Sequence, residues 1–141
     1  MRRLLPLVLS AIACLLPAAC ANQEIRSKQT ILTETLRAYS AAIRWGEYEQ
    51  AVGFIDPKIQ AEHPVTAFEL ERLRQVRVSN YDEGQPVVVS PDEVRQVVRL
   101  DLLNVNTQVA RSIVDQRSWR YDAASKHWWL TSGLPDITRR D

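Results

Sequence analysis

The residues best suited to chemistry lie in one alternating segment near the C-terminus, residues 110–122. Polar and apolar side chains alternate there as in a β-strand, which places Asp115 and Arg117 on the same face. Such a pair can line a polar pocket or form an ion pair on the outer face of a sheet, which is the more usual arrangement. Both placements stay open because a one-residue shift in register exchanges the two faces. Tyr81 and Asp101 share this ambiguity, and they complete the candidate pocket.

No other catalytic or metal-binding motif is present in the sequence. It contains no Cys/His metal spacing, no Gly-rich phosphate loop and no Gly-x-Ser-x-Gly nucleophile elbow. His63 and His127 are far apart, and isolated histidines in a loop or hairpin are more often surface residues than catalytic bases. We therefore predict no catalytic residue, no metal site and no cofactor.

The tryptophans are candidates for the core and for contacts. Trp128 and Trp129 are adjacent, so in a strand they face opposite sides. We expect Trp45, Trp119 and one member of the adjacent pair to pack in the core. The other member of the pair is the candidate contact with a partner protein.

The first twenty residues have the three-part pattern of a secretory signal. Two arginines are followed by an uncharged apolar stretch, somewhat short for a membrane-spanning helix, and then by small residues. Residues 15–20 resemble a bacterial lipobox, although Pro17 stands where an aliphatic residue is usual. The resemblance implies cleavage before Cys20 and a diacylglyceryl group on its thiol. Ordinary signal-peptidase cleavage after Ala19 or Ala21 is the alternative.

Cysteine usage agrees with this prediction. Cys14 and Cys20 are the two cysteines of the chain, so cleavage removes one and acylation uses the other. The mature chain then has no thiol, which excludes a disulfide or a cysteine-based site. We expect a protein that faces the periplasm and contacts the membrane through its lipid anchor. Ala21 lacks the aspartate linked to inner-membrane retention, which favours the outer membrane.

The mature chain has the size of one domain. Removing residues 1–19 leaves 122 residues and changes the formal charge from +1 to −1, because Arg2 and Arg3 are lost. This near-neutral balance argues against nucleic-acid binding. We divide the chain into a signal peptide (1–19), a lipidated end with a short tether (20–23), a folded domain (24–136) and a polar tail (137–141).

Hydrophobic periodicity predicts helices first and strands afterwards. Helical spacing covers residues 22–44 and 47–55, residues 58–64 form a connector or a further turn, and a third helix begins near Thr66. Strand patterns follow at residues 73–81, 94–105, 110–122 and 127–132, with a turn signal at residues 82–84. Residues 90–93 have the form of a capping box, which favours a helix after them, but β-branched residues favour a strand.

This order predicts an α+β fold, with N-terminal helices packed on a curved antiparallel sheet of three to four strands. The run Trp45-Gly46-Glu47-Tyr48-Glu49-Gln50-Ala51, the segment Asp115-Gln116-Arg117-Ser118-Trp119-Arg120-Tyr121-Asp122 and the segment Trp128-Trp129-Leu130 resemble the NTF2-like (cystatin-like) superfamily. The similarity is to uncharacterised proteobacterial lipoproteins of this superfamily, and it covers residues 24–136. The resemblance implies a cone whose open end often holds a small molecule.

Two functions follow from these features. The first is a non-catalytic binding or assembly module of the cell envelope, with an envelope protein or a small apolar ligand as partner. The alternative is a small-molecule-binding protein, or an isomerase- or dehydratase-like enzyme, that uses the cone cavity. An enzyme requires a buried acid or base with a perturbed pKa in a wet pocket, whereas a scaffold requires a filled apolar cone.

Overall fold

The computed structural model describes residues 16–138, with side chains from residue 21 onward. The predicted signal peptide and polar tail therefore lie largely outside the described residues. The chain separates into two compact units, Met1–Glu34 and Thr35–Asp141. Where the structure describes it, the first unit is helical, including residues 20–23, which the sequence assigns to a tether. The second unit carries the rest of the described fold.

Helices precede the sheet, as the sequence predicts. The described helices are α1 (Leu16–Trp45), α2 (Tyr48–Val52), α3 (Pro57–Glu62) and α4 (Ala67–Arg74). Helix α1 ends before Gly46, whose φ of 75° lies in the left-handed region that glycine adopts without strain. None of the described helices combines the length and the apolar content needed to cross a bilayer.

Local signals fix the short helices. Asp56 accepts a hydrogen bond from the Lys58 N–H at 2.9 Å, and Pro57 occupies the first position of α3. Helix α4 begins with a capping box, in which Thr66 and Glu69 each accept a hydrogen bond from the other's backbone N–H.

Five strands form one antiparallel sheet within the described residues: β1 (Val76–Glu83), β2 (Val87–Ser90), β3 (Glu93–Asn104), β4 (Ala110–Asp122) and β5 (His127–Leu130). The order is β1-β3-β4-β5, and β2 also pairs with β3. Strands β1 and β2 pair with successive stretches of β3 in the same direction. They are therefore two parts of one long edge strand, which explains one strand more than the expected three to four.

Gly84 joins the two parts of this edge strand. Its N–H donates to the Val97 carbonyl at 2.9 Å, and an added Cβ would lie 2.6 Å from that oxygen. Glycine thus allows the close approach of the two backbones. The turn predicted at residues 82–84 is wrong, because the chain continues alongside β3 and reverses at Pro91 and Asp92. The strand prediction after residues 90–93 is confirmed.

Alternation along β3 and β4 separates a buried face from an exposed one. On β3 the even-numbered residues from Val94 to Leu102 are buried, and on β4 the odd-numbered residues from Ile113 to Trp119 are buried. The C-terminal part of α1 packs on this face, where the Tyr39 ring meets the Trp119 ring at a centroid distance of 5.2 Å. The core of the second unit lies here.

Trp45 is a correction to the predicted core. Its side chain is 79% exposed, whereas Trp119 is fully buried. The large buried apolar residues of α1 in this region are Leu36, Tyr39 and Ile43, which are spaced as one helical stripe, and Trp45 falls outside that stripe.

The far edge of the sheet is covered by the chain between α2 and α3. Ile55 forms an isolated parallel bridge with Leu130 of β5. The Leu130 N–H donates to the Phe54 carbonyl at 2.7 Å, and the Asp56 N–H donates to the Leu130 carbonyl at 2.9 Å. Asp56 is buried and forms an ion pair with Arg120 of β4.

Candidate functional site

Asp115 and Arg117 lie inside the domain, on the helix-facing side of β4. Their side chains are 8% and 1% exposed, and the Arg117 Nε donates to Asp115 Oδ2 at 2.6 Å. The more usual arrangement, an ion pair on the outer face, is therefore not the one found. Burial costs both charges their hydration, and mutual pairing makes this placement tolerable.

A directed series of hydrogen bonds continues from this pair toward the edge of the sheet. Arg117 Nη1 donates to the Tyr81 hydroxyl at 2.5 Å, which in turn donates to Ser40 Oγ at 2.7 Å. Ser40 donates to Glu83 Oε1 at 3.0 Å. The series thus joins a buried cation to a carboxylate of an exposed residue through two hydroxyl groups.

Gln96 closes this network from the neighbouring strand. It stands directly opposite Arg117 in the β3–β4 register. Its Nε2 donates to Glu83 Oε1 at 2.9 Å and to the Gly84 carbonyl at 3.0 Å. Glu83 is therefore held by α1 and by β3 together.

Aromatic rings enclose the guanidinium of Arg117. Its Cζ lies 4.8 Å from the centroid of the Tyr39 ring and 5.5 Å from that of the Tyr81 ring. Rings at these distances attract a cation through their quadrupoles. The two tyrosines thus offset part of the cost of burying this charge.

The pKa values of Tyr39, Tyr81, Asp115 and Arg117 are all raised, the first three by burial and that of Arg117 by its neighbours. Burial raises the pKa of the Asp115 carboxyl, and the lowering effect of Arg117 only partly opposes it. Burial likewise raises the pKa values of the Tyr39 and Tyr81 hydroxyls against the lowering effect of Arg117. Burial alone would lower the pKa of Arg117, but Asp115 and the two phenols outweigh it, so that pKa is raised.

Asp101 does not belong to this cluster, which corrects the four-residue candidate pocket. It lies toward the opposite face of the sheet, where it accepts hydrogen bonds from the Ser112 hydroxyl at 2.5 Å and from Asn80 Nδ2 at 3.1 Å. These bonds hold the pKa of Asp101 below its usual range. The structure brings together Tyr81, Asp115 and Arg117, and it leaves Asp101 outside.

The adjacent tryptophans face opposite sides of β5, as alternation predicts. Trp128 is 2% exposed and packs against Tyr121 at a centroid distance of 5.2 Å. Trp129 is half-buried, and its ring lies 4.0 Å from the ring of His127. Trp129 is thus the member of the pair left for a contact, and that role stays a prediction.

An open cleft of about 550 Å³ lies away from the ionic cluster. Helices α3 and α4 form one side of it, and residues 131–138 form the other. Its lining residues are Ile55, Ile59, His63, Val65, Glu69, Arg72, Leu73 and all residues from Thr131 to Thr138. None of Tyr81, Asp115 and Arg117 lines it. Sequence reasoning missed this cleft because its two sides are about sixty residues apart and carry no motif.

The described residues hold no group of three or more His, Cys, Asp or Glu side chains placed to bind a metal ion. Cys20 lies in the described part of α1. Its predicted lipidation rests on the sequence.

A scan of protein-family models and a search of curated proteins both gave no match to this sequence. Among solved structures, a sec-c motif containing protein from Psychrobacter arcticus aligns with a TM-score of 0.56 at 9% identity, over 77% of this chain and 63% of the other. This chain therefore spans less than two thirds of that protein. A ketosteroid isomerase-like protein from Erwinia carotovora atroseptica SCRI1043 aligns with a TM-score of 0.51 at 16% identity, over 72% and 89%.

An NTF-2 like protein of unknown function from Shewanella oneidensis MR-1 aligns with a TM-score of 0.46 at 11% identity, a similarity too weak to bear on the fold. The stronger similarities bear on the fold alone. They agree with the predicted α+β fold, in which an N-terminal helix packs on a curved antiparallel sheet.

Proposed function

We propose that this chain is a lipid-anchored binding or assembly module of the bacterial cell envelope that acts without catalysis. Cys20 carries the anchor, and the folded domain faces the periplasm. The outer membrane is the favoured location, because Ala21 stands where inner-membrane retention uses an aspartate. Its partner is an envelope protein or a small molecule, and Trp129 is the candidate contact for a protein.

One observation carries the binding role. The open cleft of about 550 Å³ lies within the range of about 300–1,000 Å³ that is usual for ligand sites, and Ile59 and Leu134 are among the apolar side chains that line it. Two buried acids of the domain, Asp56 and Asp115, are instead engaged with Arg120 and Arg117. The accessible concave surface is therefore suited to binding, and the ionic cluster is suited to holding α1 on the sheet.

The anchor is tested by comparing the wild type with Cys20→Ser in a Gram-negative host, with membrane fractionation and intact-mass measurement. We expect a lipid-sized mass increase on a chain that begins at Cys20, and its loss in the variant. Cys14→Ser is the matched control, because that residue lies in the removed segment, and it should keep the lipid. A wild-type species without lipid, cut after Ala19 or Ala21 and free of the membrane, would contradict the anchor.

A second candidate is an acid–base enzyme that uses the interior of the cone. It is favoured by polar atoms that lack a hydrogen-bond partner among the described residues although they are buried, namely Tyr39 Oη, Gln96 Oε1 and Arg117 Nη2. Such atoms are available to a substrate, and they lie beside Asp115, whose pKa is raised.

A Δ5-3-ketosteroid is a suitable probe for this second candidate, because its isomerisation gives a conjugated product with strong ultraviolet absorbance. The binding proposal expects no turnover above the buffer rate. Turnover that Asp115→Asn abolishes under conditions where urea unfolding shows the variant to be folded would favour the enzyme. Asp101→Asn is the control, because Asp101 lies toward the opposite face of the same sheet.

A further inference from the structure

The apolar side chains of the cleft do not close on one another. Ile55, Leu73 and Ile137 are buried, whereas Ile59 and Leu134 stay half-buried on the cleft walls. Each half-buried side chain leaves apolar surface in water, and covering that surface is favourable by about 25 cal/mol per Å². The walls therefore fit a ligand with an apolar body.

The charged side chains that line the cleft differ in how many of their hydrogen-bonding atoms already have a partner. Glu69 accepts hydrogen bonds from the N–H and the hydroxyl of Thr66, and Asp136 accepts from the N–H and the hydroxyl of Thr138. The guanidinium of Arg72 has no hydrogen-bond acceptor among the described residues. The cleft thus offers a strong donor, while one oxygen of each carboxylate is already engaged by a neighbouring threonine.

The position of Arg72 keeps this donor near the cleft. It lies on α4, and its Cζ is 5.8 Å from the centroid of the exposed Phe68 ring. The ring covers one side of the guanidinium and leaves its N–H groups available. Arg72 is half-buried, so a hydrogen bond from it is less screened by water than one from a fully exposed arginine.

The charges of the lining decide between an anionic and an uncharged ligand. Glu69 and Asp136 contribute two carboxylates, and Arg72 contributes one guanidinium. An anionic head bound to Arg72 would meet both carboxylates, whereas a cationic head at the same place would meet the like charge of Arg72. An uncharged acceptor, such as an ester or amide carbonyl, takes the hydrogen bond without either repulsion.

We propose that this cleft binds an uncharged amphiphile, with its apolar body against Ile59 and Leu134 and its carbonyl oxygen on Arg72. The inference rests on the proposed binding role and names the ligand class for it. It does not depend on the lipid anchor. Acylglycerols and uncharged acyl amides share this chemistry.

The test uses the full chain with Cys20→Ser, prepared without detergent, and tryptophan fluorescence or calorimetry as the measurement. Monodecanoylglycerol is the probe, and decanoate and decylamine are matched probes with an anionic and a cationic head. We expect saturable binding of monodecanoylglycerol below its critical micelle concentration and weaker binding of both charged probes. Equal or tighter binding of decanoate or decylamine would overturn the proposal.

Two arginine variants on α4 separate the loss of the Arg72 donor from the general effects of removing an arginine. Arg72→Met keeps the apolar stem and removes the donor, and it should weaken binding of monodecanoylglycerol about tenfold. Arg74→Met is the control, because Arg74 pairs with Glu49 and Glu71 and lines no part of the cleft. Leu134→Gln should also weaken binding. Equal affinities for the two arginine variants would refute the role of Arg72.

The two proposals fail in different ways. If no probe binds while Cys20 is lipidated in cells, the ligand inference falls and the assembly role remains. If monodecanoylglycerol binds as expected and Cys20 carries no lipid, the inference stands and the anchor falls.

Discussion

At the scale of single residues, the ion pair of Asp115 and Arg117 is the contact whose burial costs the most hydration. Both charges leave water, and groups close in space compensate them. Each charge compensates the other, and Arg117 also contacts the rings of Tyr39 and Tyr81 and the Tyr81 hydroxyl. An ion pair buried in this way gives little net stability relative to apolar residues, but removing one partner leaves a charge without compensation.

We predict that Asp115→Asn lowers the free energy of unfolding by about 3–5 kcal/mol, because the buried guanidinium then has no counter-charge. The double variant Asp115→Leu with Arg117→Met should recover most of this loss, because neither charge remains. Urea unfolding measures both values. A double variant that is less stable than Asp115→Asn would contradict this account of the pair.

Two tryptophans of opposite exposure provide a second prediction. Trp119→Ala should cost about 3–5 kcal/mol, because the side chain is fully buried against Tyr39. Trp45→Ala should change the free energy of unfolding by about 0.5 kcal/mol or less, since Trp45 is 79% exposed. Thermal or urea unfolding of the two variants gives the comparison. Similar losses in both would mean that Trp45 is packed in solution.

The sequence contained part of the information needed to place Asp115 and Arg117 on the buried face. Ile113 and Trp119 flank Asp115 and Arg117 on the same face of β4, so the apolar neighbours pointed inward. The cost of burying two charges argued the other way, and the compensation comes from α1 and β1, which are distant in sequence. The exposure of Trp45 was predictable, because it falls outside the helical stripe of Leu36, Tyr39 and Ile43.

At the scale of elements, α4 shows how a local signal can define a helix start. Thr66 and Glu69 satisfy each other's backbone N–H groups, and they need no tertiary partner to do so. The sequence therefore predicted the beginning of this helix near Thr66. By contrast, β2 consists of three valines before Ser90, between two prolines, and such a run shows no alternation from which a strand could be recognised.

The capping box predicts a pH dependence. The hydrogen bonds from Thr66 hold the pKa of Glu69 below its ordinary value of 4.5. The stabilisation by the carboxylate is therefore fully present above pH 4.5 and is lost as the pH falls through the lowered folded-state pKa. We expect Glu69→Gln to be less stable than the wild type at pH 7 by about 0.3–1 kcal/mol, the usual value for an anion at a helix N-terminus.

This difference should shrink as the pH is lowered to about 3, because protonation makes the wild-type side chain uncharged as well. Urea unfolding of both chains across that range is the measurement. A difference that is constant with pH would mean that the charge of Glu69 contributes nothing to the helix.

At the scale of the whole molecule, the cleft is the feature that sequence reasoning could not supply. One wall comes from α3 and α4 and the other from residues 131–138, and neither wall carries a pattern related to the other. The order of helices and strands was predictable because each element carries its own periodicity. Concave surfaces between distant segments depend on how the elements pack, and that information is not local.

Processing of the chain predicts a thiol count for the mature protein. After denaturation, the form recovered from membranes should react with no thiol reagent, because the proposed processing removes Cys14 and acylates Cys20. Its urea unfolding should be unchanged by a reducing agent, because no disulfide can form. One reactive thiol per chain would indicate cleavage after Ala19 without acylation, and two would indicate that the signal is retained.

The two edges of the sheet have a consequence for proteins concentrated in the plane of a membrane. Exposed strand edges are templates on which other chains can grow into fibrils. Here Ile55 covers one edge beside Leu130, and the other edge is broken by register shifts at residues 78–80 and 88–90 and by Pro86. Although Val87 and its neighbours are apolar and exposed, crowding these molecules on one surface should not lead to fibrous aggregates.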